Sequence, residues 1–232
     1  PPAIKNIDLT VEPGERIGIL GATGAGKSAL VNLVPRFYDV TEGRITIDGR
    51  DVRDFPQDQL RQIVGIALQE ALLFQGDVRF NLKFGAEGVE DKQMFEAAKA
   101  ADAHGFVTGL PETWGAPVAR RGYNFSGGQR QRLSIARTLT AAPKVLILDD
   151  STSALDVATE SRVQAAIPEL YEGITTIYIA QRISAVIDLD RIVLMENGEI
   201  TAIGNHEELL GSSPLYQEIY ESQLGGVEEE KA

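Results

Sequence analysis

Gly21-Ala22-Thr23-Gly24-Ala25-Gly26-Lys27-Ser28 is the stretch that decides the fold of this 232-residue chain. Its spacing is G-x-x-x-x-G-K-S, a loop whose main-chain N–H groups curl around a polyphosphate. The flanks supply what such a loop needs. Upstream, Arg16-Ile17-Gly18-Ile19-Leu20 is an apolar run that reads as a buried strand; downstream, Leu30, Val31, Leu33 and Val34 fall at helical spacing. Strand, glycine loop and helix in that order aim backbone donors at an anion from the positive end of a helix. Glycine is needed where a phosphate approaches too closely for a Cβ, and where φ is positive. Lys27 would set a point charge on the β- and γ-phosphates and Ser28 an oxygen on Mg²⁺, with Ala29 continuing the same junction. The bland alternative is a glycine-rich turn that happens to contain Lys-Ser, and both flanks argue against it. The stretch reads as a nucleotide-binding loop.

Composition narrows the rest. Hydrophobic residues make up 43% of the chain, enough for a real core in one or two domains. The net charge of −12, from 34 acidic and 22 basic residues, speaks against a general nucleic-acid or anionic-lipid surface. With no cysteine, disulfides, thiol catalysis and Cys-based zinc sites are excluded. No apolar run approaches the ~20 residues needed to span a bilayer, so the domain itself is not expected to insert into a membrane. The chain opens at Pro1-Pro2 without a Met, inside a strand-like segment (residues 4–11), and is expected to be cut from a longer polypeptide.

Along the chain, strand signals alternate with turns to about residue 50, including a hairpin turn at Asp48-Gly49. A short helix precedes a strand at 63–68 that ends at Gln69. From 77 to 110 the pattern is helical (78–82, 91–103, 104–110). Strands return at 145–148, 174–179 and 191–195, the last joined through Asn197-Gly198 to a strand at 199–204. Helices follow around 206–210 and 214–224, and the acidic Glu228-Glu229-Glu230 reads as a solvated tail. The alternation predicts an α/β core with a mostly parallel sheet, an N-terminal antiparallel β part and a helical subdomain.

Two further stretches carry chemistry. Val145-Leu146-Ile147-Leu148-Asp149-Asp150 is an apolar strand ending in two acids. A strand buried on both faces delivers its last side chains to the edge where the phosphate loop opens, which places Asp149 to hold Mg²⁺. The bland reading is an acid pair capping a helix. Ser126-Gly127-Gly128-Gln129 begins a helix with Ser126 as N-cap and Gln129 at the third position, a capping box. Bare N–H groups at such a start also form a second phosphate site. Two such sites in one chain suggest a dimer, each nucleotide lying between one subunit's loop and the other's helix.

These residues resemble the nucleotide-binding domain of ABC transporters, and the resemblance covers essentially the whole chain. Residues 21–28 match the Walker A motif, Gln69 the Q-loop, Phe125 to Gln129 the signature, 145–149 Walker B, and Ser153-Ala154-Leu155-Asp156 the D-loop. Pro35-Arg36-Phe37-Tyr38-Asp39, Leu73-Phe74-Gln75-Gly76 and His206-Glu207-Glu208-Leu209-Leu210 resemble the exporter branch. The resemblance implies the P-loop NTPase (ABC ATPase) fold, with core and β part at about 1–75 and 142–232 and a helical subdomain at about 76–141. It implies ATP and Mg²⁺ as cofactors, with Gly21, Ala22, Thr23, Gly24, Ala25, Gly26, Lys27, Ser28, Ala29, Gln69, Ser126, Gly127, Gly128, Gln129 and Asp156 on the nucleotide and Ser28, Gln69 and Asp149 on the metal. It further implies a head-to-tail dimer with a second subunit, a transmembrane domain in the same polypeptide, and a place at the cytoplasmic face of the plasma (inner) membrane.

The departures from the family pattern are specific. Asp150 stands where the family places a glutamate general base, and Gln181 where it places a switch histidine. Asp is one methylene shorter, and a misplacement of that order costs about 100-fold in rate. Gln181 donates a hydrogen bond but cannot become a cation or carry a proton. The pair resembles the degenerate half of heterodimeric bacterial multidrug exporters. No aromatic occurs in residues 1–10, so the family's adenine-stacking ring is expected before Pro1. Ala119-Arg120 replaces a Gly-Glu pair; Arg120 and Arg121 read equally as a solvated pair or as a contact to the transmembrane part. His104 and His206 lack metal-ligand spacing and read as surface or capping residues, and Trp114 as packing. The rival readings are a slowly hydrolysing homodimer and a soluble ABC protein. Residues 29–124 hold no sustained heptads, against the coiled-coil repair type, and the acid excess opposes a translation factor.

Overall fold

The computed structural model describes residues 3–86 and 88–224. In chain order the elements are β1 (Arg16–Leu20), α1 (Lys27–Asn32), the hairpin β2 (Thr46–Ile47) and β3 (Arg50–Asp51), α2 (Gln57–Ile63) and β4 (Val64–Ala67). Then come β5 (Gly76–Asp77), α3 (Val78–Lys83), α4 (Asp91–Ala100), α5 (His104–Thr108), β6 (Pro117–Val118) and α6 (Gly127–Thr140). The chain closes with β7 (Val145–Asp149), α7 (Val157–Leu170), β8 (Thr175–Ala180), β9 (Arg191–Glu196), β10 (Glu199–Gly204), α8 (His206–Ser212) and α9 (Pro214–Leu224). Among the described residues no helix is long and apolar enough to cross a membrane.

The main sheet runs β10-β9-β1-β8-β7-β4, parallel throughout except for β10. β1 therefore sits between β8 and β9, with Gly18 opposite both Tyr178 and Ile192. Successive side chains alternate between two apolar layers. Leu146, Leu148, Tyr178, Ile192 and Leu194 join the larger core, whereas Ile17, Ile19, Ile147, Ile177, Ile179 and Val193 face the smaller one. Both faces are covered, which is why these strands read as continuous apolar runs. Gly18 has no room for a side chain, because a Cβ there would lie 2.6 Å from the Val186 side chain.

The helices of residues 78–140 pack chiefly on α6, with Met94, Leu133 and Leu139 fully buried. Trp114 packs as expected, its ring 4.8 Å from Phe95. The two predicted hairpin turns form, with left-handed backbone at Asp48, Gly49, Asn197 and Gly198. Three differences stand out. Residues 4–11 form no strand: Asn6 turns the chain at φ 54°, and Lys5 reaches Gly198 through one backbone bond rather than a ladder. The helix expected at 91–103 stops at Ala100, broken by Asp102 at φ 53°. His206, read as a surface or capping residue, is half-buried; its Nδ1 lies 2.8 Å from the Tyr216 hydroxyl and its ring packs on Tyr220. The acidic stretch 228–230 lies outside the described residues.

An ion pair fixes the entry to β1. Asp190 accepts from the Arg16 backbone N–H and from its guanidinium, both at 2.8 Å. The guanidinium bond holds the Asp190 carboxyl below the usual carboxylate range, more than its partial burial raises it. A carboxyl that ionises at lower pH folded than unfolded stabilises the fold above the unfolded value of about 3.9, and that contribution disappears as pH falls through the folded value. Asp190→Asn is thus expected to lower Tm at neutral pH and to lower it less near pH ~2; an equal loss at both pH values would contradict the pairing. Met94→Ala is expected to destabilise by about 2–5 kcal/mol, read as a lower urea midpoint at unchanged slope.

Candidate functional site

The glycine loop leaves β1 at the carboxyl edge of the sheet. Gly21 passes under β9 so closely that a Cβ would lie 2.3 Å from the Met195 carbonyl oxygen. Gly24 and Gly26 take φ of 86° and 100°, and the Gly198 N–H bonds to the Ala25 carbonyl at 3.1 Å, pinning the back of the loop to the β9–β10 turn. Ala22, Thr23 and Gly24 are left exposed. Lys27 folds back over this curve, its Nζ donating to the carbonyls of Gly21 at 2.5 Å and Ala22 at 2.9 Å. Only 7% of Lys27 is exposed. Burial lowers its ammonium pKa, against the pull of Asp150 and Asp149. A cation is thus held over the carbonyls at the start of the loop.

The neighbouring strands bring the acids and amides. Asp149, buried at the end of β7, accepts from Ser28 Oγ at 3.0 Å. Burial pushes its carboxyl up, the Ser28 bond opposing. Asp150 turns off the strand at φ 48°. One of its oxygens, Oδ2, accepts from Gln69 Nε2 at 3.0 Å and from Gln181 Nε2 at 3.2 Å. Gln181 Oε1 in turn accepts from Thr23 Oγ1 at 3.2 Å. Thr23, Gln181, Asp150 and Gln69 therefore form one hydrogen-bonded line across the ends of β1, β8, β7 and β4. Burial also raises the Asp150 carboxyl, opposed by the Gln181 bond and by the Lys27 and Arg182 charges.

These residues fit a nucleotide with Mg²⁺. Gly21 lies too close to β9 for a side chain, and Gly24 and Gly26 take positive φ, so the loop curves as glycine allows. Ser28 Oγ and Asp149 Oδ1 are hard oxygens side by side, and the Gln69 amide carries a third. Among the described residues no cluster of three or more His, Cys, Asp or Glu could hold a metal. Mg²⁺ is typically bound by one or two carboxylates together with substrate phosphates, so no such cluster is required.

The second glycine turn is built as a capping box: Ser126 Oγ accepts from the Gln129 N–H at 3.2 Å, and Gln129 Oε1 from the Ser126 N–H at 2.9 Å. Gly128 lies under the loop after β7, where a Cβ would be 3.1 Å from the Ala154 carbonyl oxygen. Among the described residues no hydrogen bond joins this turn to residues 21–29. Asp156 caps α7, accepting from the Thr159 N–H at 2.9 Å and its hydroxyl at 2.8 Å. Sequence reasoning missed Gln131, a buried amide that accepts from the Ala154 N–H at 2.8 Å and donates to Ser153 Oγ at 3.2 Å. Its signal was a long polar side chain on the apolar face of α6. It also missed Gln223, which bonds the backbone of Gln181 and Ile183 at 3.0 and 2.8 Å, and which nothing in the sequence marks. Arg120 and Arg121 are exposed. Arg121 lines a cleft of about 240 Å³ with Gln69, Leu72, Tyr123 and Arg130.

Comparison with known proteins agrees with this fold. The family model described as "ABC transporter" matches residues 4–153. An ATP-dependent lipid A-core flippase of Syntrophus aciditrophicus is 45% identical over 223 residues, 96% of this chain and 37% of the flippase. A putative multidrug export ATP-binding/permease protein of Staphylococcus aureus is 44% identical over 222 residues, 96% of this chain and 38% of that protein. The chain thus spans well under half the length of these relatives. The solved structure of a bacterial Atm1-family ABC exporter with ATP bound superposes with a TM-score of 0.92 at 37% identity, over 96% of this chain and 39% of that one. With a phosphate-loop sheet of this order and a family match over most of its length, the chain belongs to the ABC transporter family.

Proposed function

We propose that this chain is the ATP-binding domain of one half of an exporter and that its own ATP site is impaired in hydrolysis. The core and β part span about 1–75 and 142–232, and the helical subdomain about 76–141. The polypeptide that carries it also carries a transmembrane domain, and the ATP-binding part works at the cytoplasmic face of the plasma (inner) membrane. Support comes from the relatives, a flippase and an export ATP-binding/permease protein, in each of which the matched segment is a minor part. The cleft between Gln69 and Arg121 is the contact to that transmembrane part.

In this reading the N–H groups of residues 21–29 and the Lys27 ammonium hold the triphosphate, positioning it for an in-line attack. Ser28, Asp149 and Gln69 hold Mg²⁺, which when bound neutralises charge developing on the transferred phosphoryl group. Residues 126–129 of a second subunit close over the γ-phosphate, since the chain's own turn makes no bond to its own loop. Closure and release of two such sites drive export. The second subunit is a different chain, because a pair of two impaired sites would leave no site to drive the cycle.

The observation that carries the impaired-site reading is the hydrogen bonding of Asp150. A general base must reach the proton it removes. Here the shorter acid accepts two amide bonds on one oxygen, and both stabilise the carboxylate rather than its protonated form. Gln181 supplies one of them and has no proton to carry. A second reading, a homodimer in which Asp150 acts as a slow base, draws on the burial that raises its carboxyl pKa. Both readings share the binding site.

Lys27→Ala in the full-length transporter is expected to weaken Mg-ATP binding at this site at least ~10-fold by calorimetry, and unchanged affinity would sink the phosphate role. Asp150→Glu combined with Gln181→His is expected to raise turnover at this site by about 10- to 100-fold, measured with the partner's base inactivated. If the unmodified site is already fast under that condition, the impaired reading is wrong.

A further inference from the structure

The site as described leaves one buried charge unused. Glu160, in the first turn of α7, is 3% exposed. Its two oxygens point to different loops. Oε1 accepts from the Thr152 hydroxyl, and Oε2 from the Arg182 guanidinium at 2.9 Å. The same Arg182 nitrogen reaches the Thr152 carbonyl at 3.5 Å. Thr152 follows Asp150 by two residues, and Arg182 follows Gln181 directly. The Asp150 and Gln181 side chains meet at 3.2 Å, so Glu160, Arg182, Gln181, Asp150 and Thr152 close a ring. Besides that amide contact, the Asp150 N–H bond to Ile179 at 3.0 Å also joins the two segments.

A carboxylate near a helix start gains from the helix dipole while still exposed. Helix stabilisation therefore explains neither its burial nor a guanidinium drawn from a separate loop. Desolvating a charge is costly unless it is paired and its remaining lone pairs are bonded, and such pairs are best attested as devices that fix a register. Here the register is the separation of two loop ends.

We propose that Glu160 is a positioning residue: through Thr152 on one side and Arg182 on the other it sets the spacing between Asp150 and Gln181 at the phosphate end of the sheet. The inference rests on the preceding reading of Asp150 and Gln181 as the residues at the general-base and switch positions of this site. Glu160 acts through Thr152 and Arg182, its two side-chain partners. Its removal frees Arg182, which is 40% exposed along its side chain and held inward by this partner.

The test uses the full-length transporter with Asp150→Glu and Gln181→His, and with the partner's base inactivated. Into it go Glu160→Gln, Arg182→Met, both together, and Arg182→Lys. Glu160→Gln and Arg182→Met are each expected to lower kcat about 10-fold or more with KM for ATP within about 2-fold. The double variant should be no slower than the slower single one, because the pair acts as a unit, and Arg182→Lys should keep most of the activity. Additive losses, or losses confined to KM, overturn the proposal. If the starting variant shows no gain over wild type, the impaired-site reading has failed, and the positioning role is decided by amide hydrogen exchange on the unmodified transporter. There Glu160→Gln should speed exchange at residues 151–153 and 181–183 together while the strand amides of β1 and β9 keep their protection. Unchanged exchange at either segment overturns it. Should Glu160→Gln not fold, Arg182→Met carries the same exchange measurement.

Discussion

Parallel strands end together, and the chemistry of this chain depends on that constraint. β1, β8, β7 and β4 are neighbours running in one direction, so the residues that follow them emerge along one edge. Four segments distant in sequence thereby deliver Lys27, Gln181, Asp149, Asp150 and Gln69 to one edge of the sheet. The sheet is buried on both faces, and its apolar layers fix each strand's register. A slip of one residue would turn every core side chain to the wrong layer. The positions of the site residues are therefore inherited from packing far from the phosphate loop.

Electrostatics then divides the roles among neighbours. Lys27 is nearly withdrawn from water and folded onto two carbonyls, which leaves a cation poised at the start of the glycine loop. Asp149 is also buried but satisfied by one hydroxyl, a suitable start for a metal ligand. Asp150, one residue on, leaves the strand in a left-handed conformation and meets two amides. Adjacent acids thus occupy different environments: Asp149 is buried against one hydroxyl, and Asp150 is turned off the strand onto two amides.

Much of this was legible in the sequence, for identifiable reasons. Residues 21–28 announce themselves because glycine spacing, strand and helix leave few other structures. Ser126 and Gln129 were legible because a capping box is local chemistry, and the Asn-Gly and Asp-Gly turns because positive φ selects few residue types. What escaped was non-local. The pairing of β5 with β6 joins residues 40 and 42 positions apart, Asp77 with Pro117 and Gly76 with Val118, and carries no periodicity. Glu160 and Gln223 are unremarkable in sequence and gain meaning only from loops folded against them, and Gln131 is marked only as a polar side chain on an apolar helix face. The strand expected at 4–11 failed because its alternating apolar residues pack on the smaller core without a partner ladder.

The central claim is that the loop grips a triphosphate which the set-back acid does not cleave at a useful rate. It is tested most directly by the nucleotide recovered from this chain's site after rapid filtration of the assembled transporter during turnover. Intact ATP, remaining bound through many cycles of the partner's site, is the result this account predicts. ADP at this site, appearing as fast as at the partner's, would contradict it.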